Sequence, residues 1–176
     1  MQIQFSAYAE DCTVSAEVEL PTDRLSDFLA ATTEFMVDRP AFRALDDGHV
    51  VEADSAELLR DDLCLVVATG PRGRLERRIW TRQHPVRARV GPYIVIGYLH
   101  APPTIDPFRT TDRRAIVALT DCLVGYSDAG RPVWIEASAV LLNTGKIELL
   151  ESASEEDLGL AQQLERATIV DAVAGA

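Results

Sequence analysis

Residues 85–102 read PVRARVGPYIVIGYLHAP, and this stretch decides the fold. Val86, Ala88 and Val90 alternate with Arg87 and Arg89, the two-residue period of a strand with one face in a core and the other in solvent. Gly91-Pro92 is a turn pair, and Tyr93–His100 returns as a second strand. Further on, Pro102, Pro103 and Pro107 keep the chain out of any central strand. IVALTDCLVGY at 116–126 is a strand, Asp128-Ala129-Gly130 a turn, and Pro132–Leu142 another strand. Asn143-Thr144-Gly145 makes a tight corner before Lys146–Leu150. Ser154 followed by Glu155, Glu156 and Asp157 predicts a C-terminal helix reaching about residue 167, its acids at the positive end.

The first half follows the same course. Gln2–Ala9 and Thr13–Leu20 alternate as strands, and Asp23 is the expected N-cap of a short helix over 24–31. Strands are expected near Glu34–Val37, with an extension past Pro40 as the alternative, Val50–Leu59 and Leu63–Ala68; Pro40 marks an edge or the end of pairing. An offset of 83 residues lays 35–67 on 118–150 without a gap, with identities at Asp38/Asp121, Val50/Val133, Ser55/Ser138, Ala56/Ala139, Leu58/Leu141 and Leu59/Leu142. Upstream the offset is 81, placing Val14 on Val95, Ala16 on Gly97 and Val18 on Leu99. The reading is an internal duplication: a first β unit at 1–70, an Arg-rich linker at 71–81, a second β unit at 82–153, and a C-terminal helix and tail at 154–176. Five short strands cannot leave both sheet faces in water, and closing them into a small bent barrel removes exposed edge. The expectation is therefore a mainly β chain of two tandem five-stranded barrels with short helical connectors.

The second unit resembles the Sm-like fold of the Sm, LSm and Hfq proteins. In that family a strand pair carries a glycine in its second strand, a third strand ends near an acidic residue, and an apolar strand turns through a glycine-containing corner into a short last strand beginning with isoleucine. Gly97, Asp121, Gly145 and Ile147 stand at those places. The first unit is similar, with Ala16 for the glycine and Asp61-Asp62 at the corner. The chain also resembles a group of bacterial proteins whose strand pair precedes an RLSDFLN-like segment, here RLSDFLA at Arg24–Ala30. The resemblance implies an Sm-like fold and, through the family's loops, single-stranded RNA binding. The loop 102–114 carries no asparagine, so only Asn143 and Lys146 are left for that part.

Charge is unevenly placed. The net charge is −11, yet 70–114 holds ten arginines against three acids, giving +7 there and leaving −18 for the rest. Such a strip binds polyanions or pairs with acidic surface inside the chain or on a neighbouring copy. The candidate interaction residues are Arg72, Arg74, Arg77, Arg78, Arg82, Arg87 and Arg89, with Asn143 and Lys146 at the second corner. Overall acidity repels nucleic acid at long range, which disfavours RNA as the partner. Arg74 and Arg78 have the RxxxR spacing of cyclic-dinucleotide receptors, whose guanidinium forks grip phosphate, but the accompanying strand motif is absent.

Three dispersed cysteines without CxxC read as buried thiols in a reducing compartment, and no apolar run reaches the length of a membrane span. The histidines His49, His84 and His100 have no metal-ligand or triad spacing, and there is no Walker loop and no GxGxxG. The expectation is a cytoplasmic, non-enzymatic assembly or regulatory module without cofactor or metal. It associates with itself or with a protein partner through strand edges and charge. RNA binding and phosphate sensing are the alternatives.

Overall fold

A computed structural model describes residues 1–69, 80–111 and 114–160. The expected strand pairs are present: β1 Gln2–Ala9 with β2 Cys12–Glu19, and β7 Arg82–Val90 with β8 Tyr93–Ala101. Val86, Ala88 and Val90 are fully buried, as their alternation with arginine predicts. The remaining strands are β3 Glu34–Ala44, β4 Val50–Glu52, β5 Ser55–Leu59, β6 Leu63–Val67, β9 Ile116–Asp128, β10 Arg131–Asn143 and β11 Ile147–Ser152. Helix α1, Leu25–Ala31, buries Leu25, Phe28 and Leu29. Residues 155–160 open the expected C-terminal helix.

Two local expectations are corrected. Arg24, not Asp23, occupies the N-cap of α1, and no side chain caps it. The single strand expected over Val50–Leu59 is two, β4 and β5, both paired with β3. The break follows from β3 itself. Ser15 faces Ala41 but Glu17 faces Asp38, so Ala16 meets two residues, Arg39 and Pro40. Arg39 takes a left-handed φ of 48°, and Pro40, which has no N–H to give to the ladder, fits this bulge rather than ending the strand. The interruption passes to the next strand, where Arg39 N–H donates to Asp54 O and Ala53 N–H to Pro40 O.

The same device recurs across β8 and β9. Ile96 faces Leu123 and Tyr98 faces Thr120, so Gly97 meets Asp121, at φ 50°, and Cys122. A Cβ on Gly97 would lie 2.8 Å from Cys122 Sγ and 3.1 Å from Thr120 O, so the glycine lets the bulged strand approach.

All described strands join one open antiparallel sheet in the order β11-β7-β8-β9-β10-β6-β1-β2-β3-β4, with β5 also on β3. The last strand of the first half, β6, thus lies between β1 and the fourth long strand of the second half, β10. Two cores result. One holds Phe5, Val14, Phe28, Leu29, Phe35, Val37 and Val66 together with Leu141 from β10. The other holds Val86, Val90, Tyr93, Leu99, Leu119, Val124 and Leu142 together with Tyr8, Cys64 and Leu65 from the first half.

Candidate functional site: an assembly interface

The β6–β10 junction pairs Val67 with Val140, Val66 with Leu141 and Leu65 with Leu142. Successive side chains on a strand point to opposite faces, so Val66 and Leu141 enter the first core while Leu65 and Leu142 enter the second. Both faces of the sheet are covered here. This is why LCLVV at 63–67 and VLL at 140–142 are continuous apolar runs instead of alternations.

Polar contacts close the two ends of the junction. At the corner that follows β10, a single 3₁₀ turn over Thr144–Lys146, the Asn143 side chain is buried at 6% exposure. Its amide donates to Leu63 O at 2.9 Å and Arg60 O at 3.3 Å, and its carbonyl accepts from Gly145 N at 3.0 Å. Beside it, Tyr93 Oη donates to Ala9 O at 2.6 Å, and Lys146 pairs with Glu10 at 2.8 Å. The hydrogen bond to Glu10 holds the Lys146 ammonium above its ordinary pKa. Towards the other end, Ala129 N–H donates to Leu45 O at 2.7 Å, and Arg43 pairs with Asp128 at 3.1 Å. Tyr8, Tyr93 and Tyr126 meet with ring centroids 5.6 to 5.8 Å apart, joining the halves through aromatic contact.

Among the described residues of the arginine strip, Arg82 is exposed while Arg87 and Arg89 are paired. Arg72, Arg74, Arg77 and Arg78 lie outside the described residues. Arg82 is exposed at the start of β7. Arg87 pairs with Glu151 at 3.2 Å and Asp157 at 3.6 Å, and Arg89 with Glu148 at 2.8 Å. These pairs fasten β7 to β11 and to the start of the C-terminal helix. Ser154 and Asp157 exchange hydrogen bonds there as an N-terminal capping box. Each such half-exposed ion pair contributes roughly 0–1 kcal/mol. Arg87, Arg89, Asn143 and Lys146 are therefore all engaged within the chain.

His100 lies between Thr81 Oγ1 at 3.3 Å and Thr120 Oγ1 at 2.7 Å, a link across strands. Among the described residues no group of three or more His, Cys, Asp or Glu side chains is placed to hold a metal ion. No described helix is long and apolar enough to cross a membrane. The three cysteines are free thiols, two of them buried.

The sheet ends in two edges that no described strand covers, β11 on one side and β5 with β4 on the other. Each carries an adjacent leucine pair, Leu149-Leu150 on β11 and Leu58-Leu59 on β5, the same two-faced apolar signature as the inner junction. Here one leucine of each pair is in solvent: Leu149 is 38% and Leu59 45% exposed. Val50 and Val51 of β4 are also exposed, at 43% and 54%. A groove of about 510 Å³ runs along β11 between Phe108, Arg109, Ile147, Leu149 and Leu150. Sequence reasoning named the arginines and expected association through strand edges, but did not identify β11, β5 and β4 as those edges. The doublets were the available signal, because apolar neighbours at i and i+1 in a strand have no single core to enter.

No protein-family model matches the chain, and comparison with curated proteins and with solved structures yields no match.

Proposed function

We propose that this chain is a non-enzymatic assembly module: two tandem Sm-like barrel units produced by duplication, which associate with further copies through their open edges. The observation that carries the reading is the recurrence of one pairing order. The first half runs β6-β1-β2-β3 and then β5 and β4, and the second runs β11-β7-β8-β9-β10. In each, the last strand of the unit lies beside its first.

Aligned by pairing instead of by letters, the halves are offset by 81 residues in β1 and β2, 82 in β3, and 84 in β5 and β6. This replaces the gapless offset of 83, which averages the last two. Both bulges and both 3₁₀ corners then coincide, and Leu58-Leu59 falls on Leu142-Asn143.

On this reading β6 and β10 already display a unit-to-unit contact, built inside one chain. The equivalent strands left over are β11 and β5. Carrying the inner register across gives Leu149 opposite Leu58, Leu150 opposite Glu57, and Glu151 opposite Ala56. The surfaces differ, so the contact is head-to-tail and builds either a ring or a filament. Backbone ladder bonds supply affinity, and burial of the exposed leucines adds the apolar term. Free thiols agree with the reducing, cytoplasmic setting we propose. Asn143 and Lys146, the two corner residues the RNA reading relies on, are occupied by partners in the chain.

Native mass over a concentration series tests this. Multiples of 19.3 kDa are expected, with Leu149→Glu returning the monomer; a monomer at every concentration overturns the reading. Register is read by mixing Leu58→Cys with Leu149→Cys chains, and Glu57→Cys with Leu150→Cys chains. Adjacent pairs alternate between wide and close spacing, so one mixture holds a close pair that disulfide-links on oxidation.

A further inference from the structure

We propose that Asn143 seals the inner junction, and that Leu59, which occupies the same place on the open edge, makes the outer junction between copies readily reversible. This deepens the assembly reading and rests on it.

The equivalence of the two residues is geometric. Each is the last residue of its strand and leads into a 3₁₀ corner, Arg60–Asp62 after β5 and Thr144–Lys146 after β10. The first N–H of each corner reaches back to the residue just before the third strand or its start: Arg60 N to Thr33 O at 2.8 Å, and Thr144 N to Ala115 O at 3.0 Å. Each corner is closed by the N–H after it, from Leu63 to Arg60 O and from Ile147 to Thr144 O. Leu59 and Asn143 therefore leave the sheet at matching points and aim at matching neighbours.

What they do there differs by chemistry. Asn143 crosses the inner junction and donates to two carbonyls of the facing corner, Leu63 O and Arg60 O. Its own carbonyl is held by Gly145 N–H, which fixes the amide so that its NH₂ points across. At the outer junction the facing carbonyls are those of Ile147 and Thr144 on the neighbouring copy. A leucine has no hydrogen to donate. Docking then strips water from the Ile147 carbonyl without replacing its bond, an uncompensated desolvation. The outer junction keeps the ladder and the apolar contact but lacks the seal. The two-unit chain is thus the durable building block, and the contact between chains answers to concentration.

Leu59 is a half-exposed edge residue, so its replacement leaves the fold intact, and the test is a gain. Leu59→Asn is expected to lower the self-association Kd on the order of tenfold, as one recovered hydrogen bond implies. Leu59→Gln, whose amide sits one bond further out, is the geometric control and is expected to give no gain. Sedimentation over a concentration series reads all three chains. Conversely, Asn143→Leu is expected to speed amide exchange at Val66 and Leu141 while β1–β2 and β7–β8 stay protected.

If the wild type associates and either cysteine mixture cross-links, but Leu59→Asn does not tighten the association, the seal is overturned and the assembly reading stands. Unchanged exchange at the inner junction in Asn143→Leu also overturns it. If wild type and Leu59→Asn both stay monomeric to millimolar concentration, the inference and the assembly reading fall together.

Discussion

Val66 of β6 stands directly opposite Leu141 of β10, and both side chains are buried in the core of the first half. One residue along, Leu65 and Leu142 are paired and enter the core of the second half. Each half therefore closes the other's core. Truncating Leu141 to alanine removes a side chain packed on every side and is expected to cost about 2–5 kcal/mol. Because the cores share these strands, both halves should unfold in one transition. Urea curves followed by Trp134 emission, in a Trp80→Phe background, and by far-ultraviolet circular dichroism should superimpose; separated midpoints would show that the halves fold independently.

Tyr93 tests the second tie between the halves. Its ring is fully buried, and its hydroxyl donates to Ala9 O. Tyr93→Phe keeps the ring contacts with Tyr8 and Tyr126 and removes that one bond. The expected loss is about 1 kcal/mol, read as a lower urea midpoint at unchanged slope.

Gly125 and Gly145 are predicted to respond in opposite ways. A Cβ on Gly125 would run into the indole ring of Trp134 on the paired strand, whereas one on Gly145 meets only Asn143 Oδ1, at 3.4 Å. Gly125→Ala should destabilise by about 1–3 kcal/mol through overpacking and change the Trp134 emission. Gly145→Ala should leave both stability and emission nearly unchanged.

The thiols are predicted to be slow nucleophiles. Burial pushes Cys122 up to about 12 and Cys64 to about 11; burial and the Asp11 charge push Cys12 to about 11. At pH 8 all three stay protonated in the folded protein. Alkylation by iodoacetamide should label partly exposed Cys12 first and reach Cys64 and Cys122 only on unfolding. The linkage has a definite sign. A thiol whose folded pKa is raised contributes stability that is fully present below its unfolded value of about 8.5, and loses it as pH rises towards the folded values. The urea midpoint should accordingly fall between pH 9 and 11.

Much of the local structure was legible in the letters. The alternation of Val86, Ala88 and Val90 with arginine, the Gly91-Pro92 turn and the Ser154–Asp157 cap each report on a few neighbouring residues, and each stands where expected. The helix cap expected at Asp23 stands one residue later, at Arg24, and the unbroken strand at Val50–Leu59 failed for a reason that lies elsewhere in the chain. The strand break answers the bulge at Arg39-Pro40, which is set by pairing with β2.

The candidate site shows the same division more sharply. Asn143 was visible as a corner residue, but its inward turn to Leu63 O depends on β6 lying beside β10, some 80 residues away in sequence.

Taken alone, the amino-acid order determined which residues are strands, where they turn and which side of each is apolar. These are short-range consequences of backbone stereochemistry and side-chain period. Only the tertiary structure decided which strands distant in sequence lie side by side, and hence that β6 and β10 are joined while β5 and β11 are left open. The reason is physical: backbone N–H and C=O groups are the same on every strand, so a ladder accepts any neighbour. The choice among neighbours is made by packing on both faces at once, which no local window of sequence contains.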